Sequence, residues 1–146
     1  MQREDYLIRL IRQFAEFLAR IAGLREKGDF KGALAETQRA WDDLVGQPRE
    51  LLEVVDSKTY ADLLRDPDRI RIAAKLLIEE GHARAGAADP VHATLCYVRA
   101  LELLLEARSR GEAEPDDERL FDVLARVVPT NQLDERYRDG SLRRRS

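Results

Sequence analysis

Two histidines and one cysteine are the residues best suited to chemistry in this 146-residue sequence. His92 and Cys96 are four residues apart, a spacing that places both side chains on one face of a helix, and His82 precedes them. A zinc site needs three or four ligands, and neither Cys-x-x-Cys nor His-Glu-x-x-His accompanies this pair. The pattern therefore predicts a buried thiol and a surface imidazole, with no bound metal and no cofactor.

Other catalytic motifs are also missing from the sequence. There is no Gly-x-Ser-x-Gly elbow for a nucleophilic serine and no glycine-rich loop followed by Gly-Lys-Ser/Thr for a phosphate. Adjacent carboxylates such as Glu79-Glu80 point about 100° apart on a helix, so they do not converge on a substrate. We therefore predict a protein that is not an enzyme and has no catalytic residues.

The charge is unevenly distributed, although the net charge is only −3. The last eleven residues, 136–146, contain a single acidic residue and five arginines, Arg136, Arg138, Arg143, Arg144 and Arg145. Such a tail is either simply solvated or makes salt-sensitive contacts with nucleic acid or anionic lipid. No run of about 20 apolar residues predicts a membrane span. The lone cysteine fits a reducing compartment, and we expect a cytoplasmic protein.

Apolar residues recur at spacings of three and four through most of the chain, which predicts an all-α fold. Aspartates next to Gly28, Pro67 and Pro90 mark helix starts. The pattern predicts a single helical domain over residues 1–128, with long helices separated by a short-helix insert at 48–66 and a last helix at 116–127. Residues 129–146 are predicted to be a polar, partly disordered extension.

Two parts of the sequence match each other at a shift of 60 residues. The matched residues are Gly28-Asp29-Phe30, Ala33 and Ala40 in the first copy, and Ala88-Asp89-Pro90, Ala93 and Ala100 in the second. Alanines seven residues apart place small side chains on one helix face, where a second helix can approach closely. Each copy therefore predicts two helices joined by a tight turn.

These copies, about 14–47 and 74–107, resemble the tetratricopeptide repeat, a helix–turn–helix unit of about 34 residues. The resemblance implies antiparallel helical hairpins packed as a short right-handed array with capping helices. A generic helical bundle with alanine-rich contacts remains the alternative. The opening Met1-x-Arg3-x-Asp5-Tyr6-Leu7 also resembles a family of short uncharacterised bacterial helical proteins, which implies no function.

The repeat resemblance implies a concave partner groove lined by the first helix of each pair. Carried over residue by residue, its lining is Leu18, Ala22, Arg25, Lys75, Ile78 and His82. This small and largely apolar lining favours a helix over a charged tail. The occupant is a partner protein, a second copy, or the chain's own residues 116–127. The resemblance thus implies an interaction scaffold or adaptor of unknown partner, and a nucleic-acid regulator acting through the basic tail is the alternative.

The first helix has more apolar surface than one stripe can bury, which predicts a homodimer face. Tyr6 and Ile8 lie off the main apolar line, and Ala15 and Ala19 form a smooth flank. Exposed patches of this kind commonly mark interfaces, and twofold pairing is the commonest form of self-association.

Overall fold

The predicted all-α fold is confirmed by a computed structural model, which describes residues 2–139 and contains no strand in that range. Its elements, in chain order, are α1 (Gln2–Glu26), α2 (Phe30–Leu44), a 3-10 helix (Arg49–Glu53), α3 (Ser57–Leu64), α4 (Pro67–Gly86), α5 (Pro90–Arg110), α6 (Asp117–Val127), a second 3-10 helix (Thr130–Gln132) and α7 (Glu135–Arg138).

Aspartate caps fix the starts of the helices that build the core. A backbone N–H in the first turn donates to an aspartate side chain at the starts of α2, α3, α4 and α5, through Asp29, Asp56, Asp66 and Asp89. Each such cap satisfies a backbone donor that the helix cannot pair internally, and replacing one by alanine typically costs about 1 kcal/mol. Helices α4 and α5 also begin with a proline, whose fixed φ angle suits the first position of a helix.

Two hairpins, α1–α2 and α4–α5, form the body of the fold, and α2 packs against α4 between them. Their turns have the same backbone hydrogen bonds at the same shift of 60 residues. Asp29 N–H donates to the Leu24 carbonyl at 2.9 Å, and Asp89 N–H donates to the Arg84 carbonyl at 2.9 Å. Gly28 has φ +79° and its counterpart Ala88 has φ +62°, so both turns pass through the left-handed region.

Helices α4 and α5 approach closely at a glycine. A Cβ atom added to Gly81 would lie 2.6 Å from Cε1 of the Tyr97 ring. The four alanines of the sequence repeat, Ala33, Ala40, Ala93 and Ala100, are all buried. Small side chains therefore occupy the helix contacts of both hairpins, which lets the helices pack at short interaxial distance.

The insert between the hairpins is part of the core. Tyr60 of α3 is fully buried, and its hydroxyl accepts a 3.0 Å hydrogen bond from Trp41 Nε1 and donates to the Gln47 carbonyl at 2.9 Å. Trp41 Nε1 also lies 3.0 Å from that carbonyl. This network joins α2 and α3 to the chain segment between them.

The compact part of the chain extends beyond residue 128, where the sequence predicts its end. Leu133 and Tyr137 are buried, and the Tyr137 hydroxyl donates to Glu106 Oε2 at 2.6 Å. Arg136 Nε donates to the same oxygen at 2.7 Å. Glu106 is fully buried in α5 and needs such partners, because an unpaired buried carboxylate is strongly destabilising. Residues 140–146, which include the rest of the predicted extension, lie outside the described residues.

The charge state of Glu106 follows from these contacts. Burial by itself would raise the pKa of Glu106, but hydrogen bonds from Arg136, Tyr137 and Arg110 lower it below the ordinary value. Burial and the neighbouring Glu106 carboxylate raise the pKa of the Tyr137 hydroxyl. At neutral pH the carboxylate is therefore ionised and holds the C-terminal segment against α5.

Candidate interaction surfaces

The residues of the predicted partner groove come from two neighbouring helices, α1 and α4. Arg25 Nη2 of α1 donates to Glu79 Oε1 of α4 at 3.1 Å. Leu18 is seven residues before Arg25 on the same face of α1, and Lys75 is four residues before Glu79 on the same face of α4. The structure thus aligns the two predicted sets along one pair of helices, joined by an ion pair.

The six groove residues differ in how far they are open to solvent. Ile78 is buried, because α4 packs between α2 and α5, so it supplies packing rather than open lining. The other five, Leu18, Ala22, Arg25, Lys75 and His82, are half-buried. The accessible lining is therefore a strip in which the apolar Leu18 and Ala22 lie beside the polar side chains of α1 and α4.

His82 is held by α5 and is electrically neutral near pH 7. Its Nδ1 lies 2.7 Å from the Tyr97 hydroxyl, and the two rings meet edge to face with centroids 5.5 Å apart. Burial lowers the pKa of His82 below its ordinary value, against the opposing effect of Glu79. His82 thus presents a neutral imidazole to the strip.

Helix α1 exposes an apolar stripe along its free side. Ile8 and Ile11 are 55% and 63% exposed, and Ala15 is exposed as well. Together with Leu18 and Ala22, they recur at spacings of three and four residues, as in one seam of a coiled coil. We call Ile8, Ile11, Ala15, Leu18 and Ala22 the α1 stripe.

The residues predicted for the homodimer face divide between two sides of α1. Ile8, Ala15 and Ala19 are exposed. Tyr6 is half-buried, and its ring lies 5.4 Å from the Arg69 guanidinium of α4. Residues two apart on a helix point about 200° apart, so Tyr6 faces the core side while Ile8 faces outward. Conversely, Ile11 lies three residues before the buried Phe14 and shares its apolar spacing, yet the structure exposes it.

The last predicted helix does not cover the α1 stripe. Helix α6 packs against α5, and its Asp117 accepts hydrogen bonds from Arg71 of α4 at 3.1 and 3.0 Å. Leu120, Phe121 and Leu124 are buried in this contact region. With α6 in place, Ile8 and Ile11 keep more than half of their surface exposed.

A second concave surface lies between the 3-10 helix Arg49–Glu53, α5 and residues 132–134. It encloses about 650 Å³, and we call it the α5 groove. Buried Leu52, Cys96 and Val98 contribute to its apolar part, whereas Val54 and Leu95 are 76% and 53% exposed. The sequence gives no sign of this groove, because its walls come from four separate segments of the chain: residues 49–56, α4, α5 and residues 132–134.

The charged side chains around the α5 groove are partly neutralised within the protein. Arg49 donates to both oxygens of Glu80 at 3.2 Å, and Arg99 donates to the Val55 carbonyl at 2.8 Å and to the Ser57 hydroxyl at 2.9 Å. Five carboxylates and three guanidinium groups line the groove, so its lining has an excess of negative charge. The Glu53 side chain is 72% exposed.

The cysteine and the second histidine have different partners. Cys96 is buried and its thiol donates to Glu80 Oε2 at 3.4 Å. Burial, with the neighbouring Glu80 carboxylate, raises the pKa of Cys96 to about 12, so the thiol stays protonated and is a poor nucleophile. The exposed His92 lies 2.8 Å from Asp89. Within residues 2–139, no three potential metal-ligating side chains form a cluster.

Comparison with known proteins finds a partial similarity to a much longer protein. V-type ATP synthase alpha chains from Anaeromyxobacter sp. (strain K) and Anaeromyxobacter dehalogenans (strain 2CP-1) are 37% identical to this chain over 87 residues. The matched region is 58% of this chain but only 14% of those proteins, so the similarity concerns a segment and assigns no activity. No family model and no solved structure matches the chain. In the part of the chain that the structure describes, no helix is long and apolar enough to span a membrane.

Proposed function

We propose that this chain is a non-enzymatic protein–protein interaction module with a short tetratricopeptide-like architecture. The two hairpins, their turns with identical hydrogen bonds at a shift of 60 residues, and the buried alanines support this architecture. A cytoplasmic location belongs to the same proposal, since the lone cysteine fits a reducing compartment.

The observation that carries the proposal is the α1 stripe. Its isoleucines are large, apolar and more than half exposed, while the opposite face of α1 contributes Leu10, Phe14 and Ile21 to the core. Scattered apolar side chains on a surface need no explanation, but a continuous stripe along one helix is typical of a contact surface.

The geometry of the stripe favours a helical partner. Ala15 and Ala22 allow the backbone of a second helix to come close, and Ile8, Ile11 and Leu18 provide apolar anchors at spacings of three and four residues. A second copy of α1 has the matching seam, so a homodimer is one form of this contact.

The double variant Ile8→Glu, Ile11→Glu tests the proposal. It places two charges in the stripe without touching the core, so the melting temperature should change little while partner binding is lost. Val91→Glu is the matched control, because Val91 is 68% exposed on α5, away from the stripe. Light scattering over a concentration series measures self-association, and affinity capture from lysate with mass spectrometry measures binding of other proteins.

The results separate the alternatives for function. Self-association or a captured protein that is lost in the double variant and kept in Val91→Glu supports the module. Binding that is equal in all three proteins would refute the role of the α1 stripe. Recovery of nucleic acid at low salt, with loss at high salt, would favour the alternative that the basic tail binds nucleic acid.

A further inference from the structure

The α5 groove has the size and the apolar lining of a peptide-binding site. Its volume of about 650 Å³ lies within the range of known binding sites. Val54 and Leu95 border it and are 76% and 53% exposed, and the buried Leu52 and Val98 are part of its lining. An aliphatic side chain that enters the groove covers the exposed valine and leucine, and the burial of apolar surface favours such a contact.

The part of the groove next to α4 is electrically neutral. Arg49 pairs with Glu53 at 3.3 Å and with Glu80 at 3.2 Å, and Arg84 pairs with Glu80 at 3.3 Å. Two guanidinium groups and two carboxylates thus balance each other. This part of the groove therefore does not select a charged occupant.

The part of the groove next to α3 and α7 is acidic. Glu102 Oε1 accepts a hydrogen bond from the Ser57 hydroxyl at 2.7 Å, and Glu102 Oε2 accepts one from the Asp134 N–H at 2.8 Å, so the starts of these two helices meet at one carboxylate. Arg99 lies 3.9 Å from Glu102 and compensates its charge. Asp56 and Asp134, which directly precede α3 and α7, also line the groove, and both are exposed.

Neither of these two aspartates forms an ion pair in the part of the chain that the structure describes. Each accepts a hydrogen bond from a backbone N–H in the first turn of its helix, at 2.8 Å for Asp56 and 3.1 Å for Asp134. The neighbouring Lys58 and Arg136 form ion pairs at 2.7 Å with other carboxylates, and Arg138 donates to two backbone carbonyls. Two exposed negative charges therefore remain without a cationic partner at this end of the groove.

We propose that the α5 groove binds a segment of another protein in which an aliphatic side chain stands next to lysine or arginine. The aliphatic side chain packs against Val54 and Leu95, and the cation meets the carboxylates of Asp56 and Asp134. Charge complementarity selects such a basic segment over an acidic one. The groove and the α1 stripe share no residue, so this contact is independent of the function proposed above.

Selection from a library of random short peptides displayed on phage, with the full chain as the target, tests the chemistry of the occupant. We expect the selected sequences to share an aliphatic residue beside lysine or arginine. Isothermal titration calorimetry then measures the affinity of a selected peptide, made synthetically with blocked ends, at low and high salt. The affinity should fall as the salt concentration rises, because the two aspartates are exposed and their charges are screened.

The double variant Asp56→Asn, Asp134→Asn removes both charges and keeps both helix caps, because asparagine caps a helix about as well as aspartate. It should bind the peptide at least about tenfold more weakly, since both charge contacts are lost. Asp29→Asn with Asp66→Asn is the matched control, because it neutralises two cap aspartates outside the groove and should leave the affinity unchanged. Leu95→Gln removes the apolar border and should also weaken binding. Thermal melts verify that each variant is folded.

Three results would overturn the proposal. The first is equal affinity of the unmodified chain and the Asp56→Asn, Asp134→Asn variant for the peptide. The second is the selection of peptides without a basic residue, or of no peptide at all. The third is an apparent peptide affinity that falls as the protein concentration rises, which would mean that a second copy of the chain occupies the groove.

Discussion

The close approach of α4 and α5 at Gly81 leads to a paired prediction with a glycine of α1 as its reference. Gly→Ala inside a helix gains about 0.8–1.0 kcal/mol of intrinsic helix propensity. At Gly23 an added Cβ has no atom within 4 Å, so Gly23→Ala should be stabilising by up to that amount. At Gly81 the added Cβ would lie 2.6 Å from the Tyr97 ring, which the 2.7 Å contact with His82 holds in place.

Overpacking of a well-filled contact costs about 1–3 kcal/mol, which opposes the propensity gain. Gly81→Ala should therefore be neutral to destabilising by about 2 kcal/mol, and the two alanine variants should differ by about 1–3 kcal/mol. Urea titration measures the free energies of unfolding. Tyr97→Leu removes the ring that would clash, so combining it with Gly81→Ala should reduce the penalty of the alanine. Equal stabilisation by both alanines would refute the close contact between α4 and α5.

Three further predictions concern the repeat, the C-terminal segment and metals. Ala100→Leu should destabilise the fold by about 1–3 kcal/mol, because Ala100 is fully buried; an unchanged melting temperature would remove an important support for the repeat. Glu106→Gln should cost about 1.5–3 kcal/mol by weakening charge-assisted hydrogen bonds to Arg136 and Tyr137, and faster proteolysis after residue 128 should report it. Because the folded-state pKa of Glu106 is lowered, its contribution is present above its unfolded-state pKa and is lost as pH falls through the folded value. Acid should therefore destabilise the unmodified chain more than Glu106→Gln, as measured by thermal melts between pH 7 and pH 3. A strong chelator should leave the melting temperature unchanged, since residues 2–139 contain no cluster of metal-ligating side chains.

The helices could be predicted from the sequence because their signals are local. Asp66 and Asp89 cap helices at the predicted places, and Pro67 begins α4. The positions of Gly28 and Asp29 likewise predict the turn that the first hairpin makes. Each of these signals depends on a few neighbouring residues, because the hydrogen bonds that cap a helix join residues within its first turn.

The surfaces were harder to predict because they depend on which helices meet. Ile11 fits the apolar period of α1 as well as Leu10 does, yet Leu10 is 4% exposed and Ile11 is 63% exposed. Periodicity shows that a helix has an apolar face, but it does not show how much of that face the neighbouring helices bury. Tyr6 shows the reverse case, since it lies off the main stripe and still contacts Arg69 of α4.

The C-terminal segment shows why a polar sequence can still belong to a core. Residues 129–139 contain few apolar residues, which predicts an extension outside the domain. The structure pairs them with Glu102 and Glu106, two acids that helical periodicity places on an inner face of α5. A buried acid in an otherwise apolar stretch is the signal that could have indicated a missing partner.

The tryptophan of α2 gives the protein a built-in optical probe. Trp41 is the only tryptophan in the sequence, and its indole is 1% exposed and hydrogen-bonded to Tyr60 of α3. Its emission wavelength therefore reports on the junction between the first hairpin and the insert, and not on the chain average. Detachment of α3 would admit water to the indole and shift the emission to the red even if far-ultraviolet circular dichroism, which follows helix content, hardly changed. Comparing the two signals during denaturation would show whether the insert and the hairpins unfold as one cooperative unit.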